Sequence, residues 1–93
     1  MHKSDSTLSR DVPIVNELGL HARSAARIAQ LAGGSKGSIW ISKGDQKADA
    51  SSIVNILTLA CEKGSRIIIS IENKDDTSIL EAISELVESG FGE

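Results

Sequence analysis

The sequence has few aromatic residues and no excess of basic ones. Its 93 residues include one Trp, one Phe and no Tyr, and 10 Lys and Arg are outnumbered by 13 Asp and Glu. A nucleic-acid-binding surface needs stacking rings and a basic stripe that displaces counterions, so we expect no nucleic acid as a partner. The single cysteine, Cys61, excludes an internal disulfide and a cysteine-based zinc site. It fits a reducing compartment, and we expect a cytoplasmic protein.

Long hydrophobic runs are also missing. No segment approaches the ~20 apolar residues of a membrane helix. The polar start of the chain does not resemble a secretory signal, and we expect no membrane insertion. Hydrophobic residues nevertheless make up 40% of the chain, which is enough for one core but not for two. We therefore predict one domain over residues 11–93, preceded by a flexible tail at residues 1–10.

Short apolar runs predict strands that alternate with helices. The strand segments are 12–15, 38–42, 47–49 and 66–71. Pro13 cannot donate to a neighbouring strand, so we expect the first strand at an edge of the sheet. The last segment is the most apolar, so we place it inside the sheet. The order β-α-β-β-α-β-α predicts an α+β fold, with helices on one face of an antiparallel sheet.

The second and third predicted helices have recognisable ends. Either Ser51 or Ser52 is the N-cap of the second helix, which we expect to end at Gly64. Ser78 and Glu81 have the spacing of a capping box for the third helix. The sequence thus predicts where both helices begin and where the second one ends.

A histidine stands at the start of the first predicted helix, Ala22–Ala32. Backbone N–H groups at a helix N-terminus favour anions, and Arg23 adds a forked cationic donor. Histidine is a nucleophile with a free ring nitrogen near neutral pH. We therefore hypothesise that His21 accepts a phosphoryl group as a phosphoramidate. Two alternatives stay open: His21 only caps the helix, or the loop binds a phosphate-bearing ligand without covalent chemistry.

Two groups of segments form recognisable motifs. The first consists of Asn16, Gly19-Leu20-His21-Ala22-Arg23 and Ala25-Ala26, and the second of Asp49-Ala50-Ser51-Ser52-Ile53, Leu57-Thr58-Leu59-Ala60 and Gly64. The first resembles the active-site signature of the HPr family, the histidine phosphocarriers of the bacterial phosphotransferase system, and the second resembles the motif around that family's regulatory serine. The gap from His21 to Ser52 also matches. The resemblance covers about residues 11–93 and implies an HPr-like open-faced β-sandwich, with four antiparallel strands and three helices on one face.

The resemblance implies a phosphoryl carrier rather than an enzyme, with no cofactor and no metal. Enzyme I, charged by phosphoenolpyruvate, would phosphorylate His21 on Nδ1. The group would pass to a histidine of a sugar-permease component, and Arg23 would stabilise it during transfer. Ser52 would be the target of a regulatory HPr serine kinase/phosphorylase. The residues themselves offer no paired acid and base and no P-loop, which disfavours an enzyme.

Ser24 stands where the family usually has proline after the arginine. Two roles are open for its hydroxyl, donation to the phosphate or capping of the helix. Partners are expected to dock on small and apolar residues beside His21. Those candidates are Ala22, Ala26, Val54 and Leu57, with burial in the core as the alternative for Val54 and Leu57.

A second class of function is a regulatory HPr-like protein. Such a protein would serve a nitrogen-related or carbon-control branch through phosphorylation-dependent binding instead of sugar uptake. The presence of His21 favours the carrier. We expect a monomer, because a carrier presents one face to several partners in turn.

Overall fold

The computed structural model describes residues 8–93, and in this part of the chain four strands and three α-helices form two layers. The strands pair antiparallel throughout, in the order β1-β4-β2-β3. This arrangement confirms the predicted fold class. The elements in chain order are β1 (Ser9–Pro13), α1 (Ala22–Ala32), β2 (Ile39–Lys43), β3 (Gln46–Asp49), α2 (Ile53–Leu57), β4 (Arg66–Ile71) and α3 (Thr77–Glu88), with 3-10 turns at Lys74–Asp76 and Gly90–Gly92.

The positions of β1 and β4 in the sheet agree with the sequence prediction. β4 lies between β1 and β2, whereas β1 pairs with β4 alone and forms an edge. β1 begins earlier than predicted, because pairing with β4 extends back from Pro13 opposite Arg66 to Ser9 opposite Ser70. Ser9 and Arg10 therefore belong to the domain rather than to the predicted tail. Residues 1–7 of that tail lie outside the described part of the chain.

Alternation along the strands separates a covered face of the sheet from an open one. Ile41 and Ile69 are fully buried beneath the helices. Trp40 points the other way, with its Nε1 donating to Glu72 at 2.8 Å and the ammonium of Lys47 4.6 Å from its ring centroid. These polar partners hold the single tryptophan of the sequence on the open face.

α2 is shorter than its sequence pattern predicts. It ends at Leu57, and Ala60 has a left-handed backbone with φ of 51°. Lys43 Nζ donates to the carbonyl oxygens of Leu59 and Ala60 at 3.2 and 3.1 Å, which satisfies groups that further helix would have used. Cys61 is buried as a small packed side chain, but it follows the helix instead of lying on it.

α3 does not use the predicted capping box at Ser78 and Glu81. The helix begins at Thr77 with Asp76 in the N-cap position, and the Asp76 side chain makes no capping hydrogen bond. Its two carboxylate oxygens instead accept the backbone N–H groups of Lys36 and Gly37, both at 2.9 Å. Asp76 therefore ties the start of α3 to the loop that leaves α1, at the end of the molecule away from His21.

Asp76 gives the fold a predictable sensitivity to acid. The N–H groups of Lys36 and then Gly37 lower the pKa of this carboxyl from its ordinary 3.8. The unfolded chain therefore takes up the proton first, and this stabilisation, complete above about pH 4, is lost as the pH falls through the lower folded-state pKa. We expect Asp76→Asn to unfold at lower urea concentration near neutral pH and to lose less stability below about pH 4 than the parent.

Asp75→Asn is the matched control, because Asp75 is exposed and its carboxylate forms a surface ion pair with Lys36 Nζ at 3.4 Å. Urea unfolding followed across the acid range compares the variants. The same acid sensitivity in the parent chain and in Asp76→Asn would contradict the assignment.

Candidate functional site

The loop before α1 is held in place by backbone contacts. Asn16 Nδ2 donates to the carbonyl oxygen of Gly19 at 2.9 Å, and the Gly19 N–H donates to the carbonyl oxygen of Asn16 at 3.1 Å. The N–H of Leu20 donates to the carbonyl oxygen of Cys61 at 2.9 Å. Gly19 has φ of +64°, and a Cβ there would overlap the carbonyl oxygen of Cys61. Glycine is therefore required at this position, and the loop delivers the chain to His21 in one conformation.

His21 is the N-cap of α1. Its backbone is extended, and its Nδ1 accepts the N–H of Arg23 at 3.3 Å. The hydroxyl of Ser24 completes the cap by accepting a hydrogen bond from the His21 N–H at 3.0 Å. The Ala25 N–H donates to His21 O at 2.8 Å. The Nδ1 lone pair thus faces the N–H groups that begin the helix, where negative charge is favoured.

The other ring nitrogen of His21 meets a carboxylate. Nε2 lies 3.1 Å from Glu93 Oε2, and Asn16 Nδ2 donates to Glu93 Oε1 at 3.3 Å. Because Nδ1 accepts a hydrogen bond, the ring proton belongs on Nε2, which donates to Glu93. The hydrogen bond from His21 is the main cause of a lowered pKa for the Glu93 carboxyl. The hydrogen bond from Asn16 and the charge of Arg23 lower this pKa further, whereas partial burial acts in the opposite direction.

Two arginines of α1 differ in their contacts. The guanidinium of Arg23 makes no hydrogen bond or ion pair with any residue in the 8–93 region, although its charge acts on Glu93. Arg27 has a structural role, because its Nη1 donates a hydrogen bond to Phe91 O at 2.6 Å. Arg23 is therefore the cation of this site that a bound phosphate could engage.

Ser24 takes one of the two roles left open by the sequence. The residue is fully buried, and besides capping His21 its hydroxyl lies 3.3 Å from Gly19 O and 3.2 Å from His21 O. A hydroxyl enclosed by these backbone groups caps the helix in this structure. The donation of Ser24 to a phosphate stays a prediction.

Ser52, and not Ser51, caps α2. Its hydroxyl accepts the N–H of Asn55 at 3.1 Å, whereas the hydroxyl of Ser51 donates to Asp49 Oδ1 at 2.7 Å. Ser52 is half-buried. The structure thus settles which serine is the cap.

The candidate docking residues lie at the surface. Val54 and Leu57 are 73% and 37% exposed, because Ile56 alone of this short helix turns into the core. On α1, Ala22 is exposed and Ala26 half-buried. The alternative of core burial for Val54 and Leu57 is therefore wrong. The other exposed large apolar side chains within residues 8–93 are Val15, Leu18, Ile53 and Ile68.

Sequence reasoning missed Glu93. It lies 72 positions from His21, and no spacing or motif links the two. Asn16 belonged to the recognised signature but without a role, and the structure shows it bonding both the loop and Glu93. Within residues 8–93 no cluster of three or more His, Cys, Asp or Glu could hold a metal ion. In the same region no helix has the length and apolar character to cross a membrane.

The fold and site correspond to a known class of small phosphocarriers. HPr-C-His from Thermoanaerobacter tengcongensis superposes with a TM-score of 0.85 at 36% identity, over 91% of this chain and 96% of that one. The family model described as "PTS HPr component phosphorylation site" matches residues 8–89. This chain belongs to the HPr family of the phosphotransferase system.

Individual relatives bear two different names. The phosphocarrier protein HPr of Cupriavidus necator is 36% identical over 92% of this chain and 97% of its own length. The phosphocarrier protein NPr of Shewanella violacea is 40% identical over 92% of this chain and 94% of its own length. The resemblance therefore extends to phosphocarriers of both names.

Proposed function

We propose that this chain carries phosphoryl groups on Nδ1 of His21, between phosphoenolpyruvate-charged Enzyme I and a histidine of a sugar-permease component. The observation that supports it most directly is the orientation of the ring. Nδ1 faces the N-terminus of α1 at 3.3 Å from the Arg23 N–H, while Nε2 is engaged by Glu93. Membership of the HPr family of the phosphotransferase system supports the proposal.

The transfer step is a displacement at phosphorus. The Nδ1 lone pair of His21 forms an N–P bond while the bond from phosphorus to the donor atom breaks, and that electron pair leaves with the donor. A phosphoryl group adds close to two negative charges. The helix end offsets these by about 0.3–1 kcal/mol, and the guanidinium of Arg23 adds a cation. This modest stabilisation suits a carrier, which must release the group again.

Labelling of the full chain tests the proposal. Incubation with Enzyme I and phosphoenolpyruvate should give one acid-labile, base-stable phosphate. Nuclear magnetic resonance of the product should place that phosphate on Nδ1 of His21. Absence of label with an Enzyme I that labels another HPr, or a phosphate on a different atom, would refute the carrier function.

Partner docking is proposed on the exposed apolar residues of α2 together with the start of α1. α1 packs against α2, and the Leu20–Cys61 hydrogen bond fixes the loop carrying His21 against the segment that follows α2. Val54 is the most exposed large apolar side chain described in this structure. An apolar centre of this kind with a polar rim is typical of brief encounters.

Ser52 is proposed as a regulatory phosphorylation site for an HPr serine kinase/phosphorylase. Its position at the N-cap of α2 places added negative charge at a favourable helix end, so the fold should tolerate it. The charge would also stand two residues from Val54. Phosphorylation would then act on partner binding, because a charged group beside an apolar surface must lose water when a partner docks.

Ser52→Asp tests this effect of charge. We expect the KM of Enzyme I for the carrier to rise about tenfold, a loss of about 1.4 kcal/mol in binding, with little change in kcat. Val54→Asp should raise KM in the same way. Ser78→Asp makes the same chemical change in the first turn of α3, at the far end of the molecule, and should leave KM unchanged. Equal KM values for Ser52→Asp and Ser78→Asp would count against docking at α2.

A regulatory role in a nitrogen-related branch is the second candidate function. The observation in its favour is the 40% identity to the NPr of Shewanella violacea. Sugar-permease acceptors and nitrogen-branch acceptors can be offered to the phosphorylated chain in parallel. Transfer to the nitrogen-branch acceptor alone would replace the sugar-uptake proposal.

A further inference from the structure

We infer that Glu93 is a positioning residue for phosphoryl transfer at His21, because its carboxylate keeps the ring proton on Nε2 and leaves Nδ1 as the reacting nitrogen. The inference rests on the proposed function and adds a second side chain to it. The contact is a 3.1 Å approach of Nε2 to Oε2, between side chains that are 26% and 27% exposed. Partial burial makes this hydrogen bond stronger than one in open solvent.

The carboxylate of Glu93 is held from more than one side. Asn16, which is 6% exposed, donates from Nδ2 to the oxygen that does not face the ring. Arg27 holds the neighbouring backbone through Phe91 O at 2.6 Å. One carboxylate oxygen of Glu93 thus accepts a hydrogen bond from Asn16, and the other contacts His21.

The backbone before Glu93 is strained, and the packing that maintains this strain fixes the path of the chain to Glu93. Phe91 is 3% exposed and has φ of 61°, although it is not a glycine. Gly90 and Gly92 on either side have φ of 69° and 74°. A left-handed non-glycine residue costs free energy and persists only where packing enforces it, as the buried ring of Phe91 does here. Strain of this kind beside a reactive side chain is consistent with a positioning role.

The chemistry of the ring explains what the carboxylate contributes. When neutral His21 with its proton on Nε2 attacks phosphorus through Nδ1, the ring becomes a positively charged phosphoimidazolium. The carboxylate of Glu93 accepts the Nε2–H and stabilises that charge. When the group leaves, the N–P electron pair returns to Nδ1 and the ring departs neutral. Without a proton on Nε2 it would depart as an imidazolate anion, which is a poor leaving group.

Glu93→Gln in the full chain tests the inference, with Glu88→Gln as the matched control on the exposed surface of α3. Nitrogen-15 shifts of the His21 ring report the tautomer before any phosphoryl donor is added. We expect Nε2–H to dominate in the parent and in Glu88→Gln, and a mixture with Nδ1–H in Glu93→Gln.

Kinetics with Enzyme I give the second measurement. In metal sites, mutation of the carboxylate partner of a histidine ligand lowers metal affinity or activity about 10–100-fold. The present site is partly exposed, so we expect kcat to fall about tenfold with little change in KM. An unchanged tautomer or an unchanged kcat in Glu93→Gln overturns the inference. A parent chain that accepts no phosphoryl group refutes the proposed function instead, and the tautomer measurement still reports on Glu93 by itself.

Discussion

His21→Ala should lose phosphorylation by Enzyme I completely, a fall of at least about a thousandfold in initial rate. The variant removes the nucleophile itself, and covalent catalysis has no substitute for the atom that forms the bond. The neighbouring cation and the helix N-terminus would remain, but they stabilise a phosphate without accepting one. Incorporation of phosphate from phosphoenolpyruvate, measured under conditions that preserve acid-labile bonds, gives the result directly.

The control for this experiment must separate chemistry from folding. His21 caps α1, and loss of an N-cap costs about 1 kcal/mol, so alanine also weakens the helix. His21→Asn keeps a capping acceptor and removes the imidazole, and it should be equally inactive. His2→Ala removes the other histidine of the chain and should be labelled like the parent. Label remaining in both His21 variants would place the phosphate elsewhere.

Local patterns allowed much of this molecule to be predicted from its sequence. The bounds of α1 follow from its alanine spacing and the glycines after it, and the structure has the same helix, Ala22–Ala32. The edge position of β1 follows from Pro13 and the interior position of β4 from its isoleucines. Each of these features depends on residues close together in the chain, where period and backbone chemistry decide the outcome.

Contacts between distant residues decided what could not be predicted. α2 stops at Leu57 because Lys43 from β2 binds the carbonyl groups of Leu59 and Ala60, which follow the helix and would be needed to continue it. The capping box at Ser78 fails because Asp76 accepts the N–H groups of Lys36 and Gly37 instead. The partner of His21 was missed for the same reason, since Glu93 reaches it only through the folded chain. The sequence thus indicated the candidate histidine but not the carboxylate that contacts its ring.

Gly19→Ala should be among the most destabilising single substitutions in the chain, by about 2–5 kcal/mol. The left-handed backbone costs an alanine about 1–2 kcal/mol, and overpacking adds about 1–3 kcal/mol. The added Cβ would meet the carbonyl oxygen and backbone of Cys61 and Glu62, which cannot rotate away as a side chain would. Urea unfolding gives the free energy, and the phosphorylation rate of the folded variant reports whether His21 has moved with its loop.

Gly44→Ala separates the two contributions. Gly44 has φ of +58°, close to the +64° of Gly19, but a Cβ there has no atom within 4 Å. The stability of Gly44→Ala should therefore fall only by the cost of the left-handed backbone, about 1–2 kcal/mol, and its rate of phosphorylation should equal that of the parent. The difference between the two variants measures how tightly the loop before His21 is pressed against the segment after α2. Equal losses of stability would show that this contact yields readily, and that the loop is not held rigidly at Cys61.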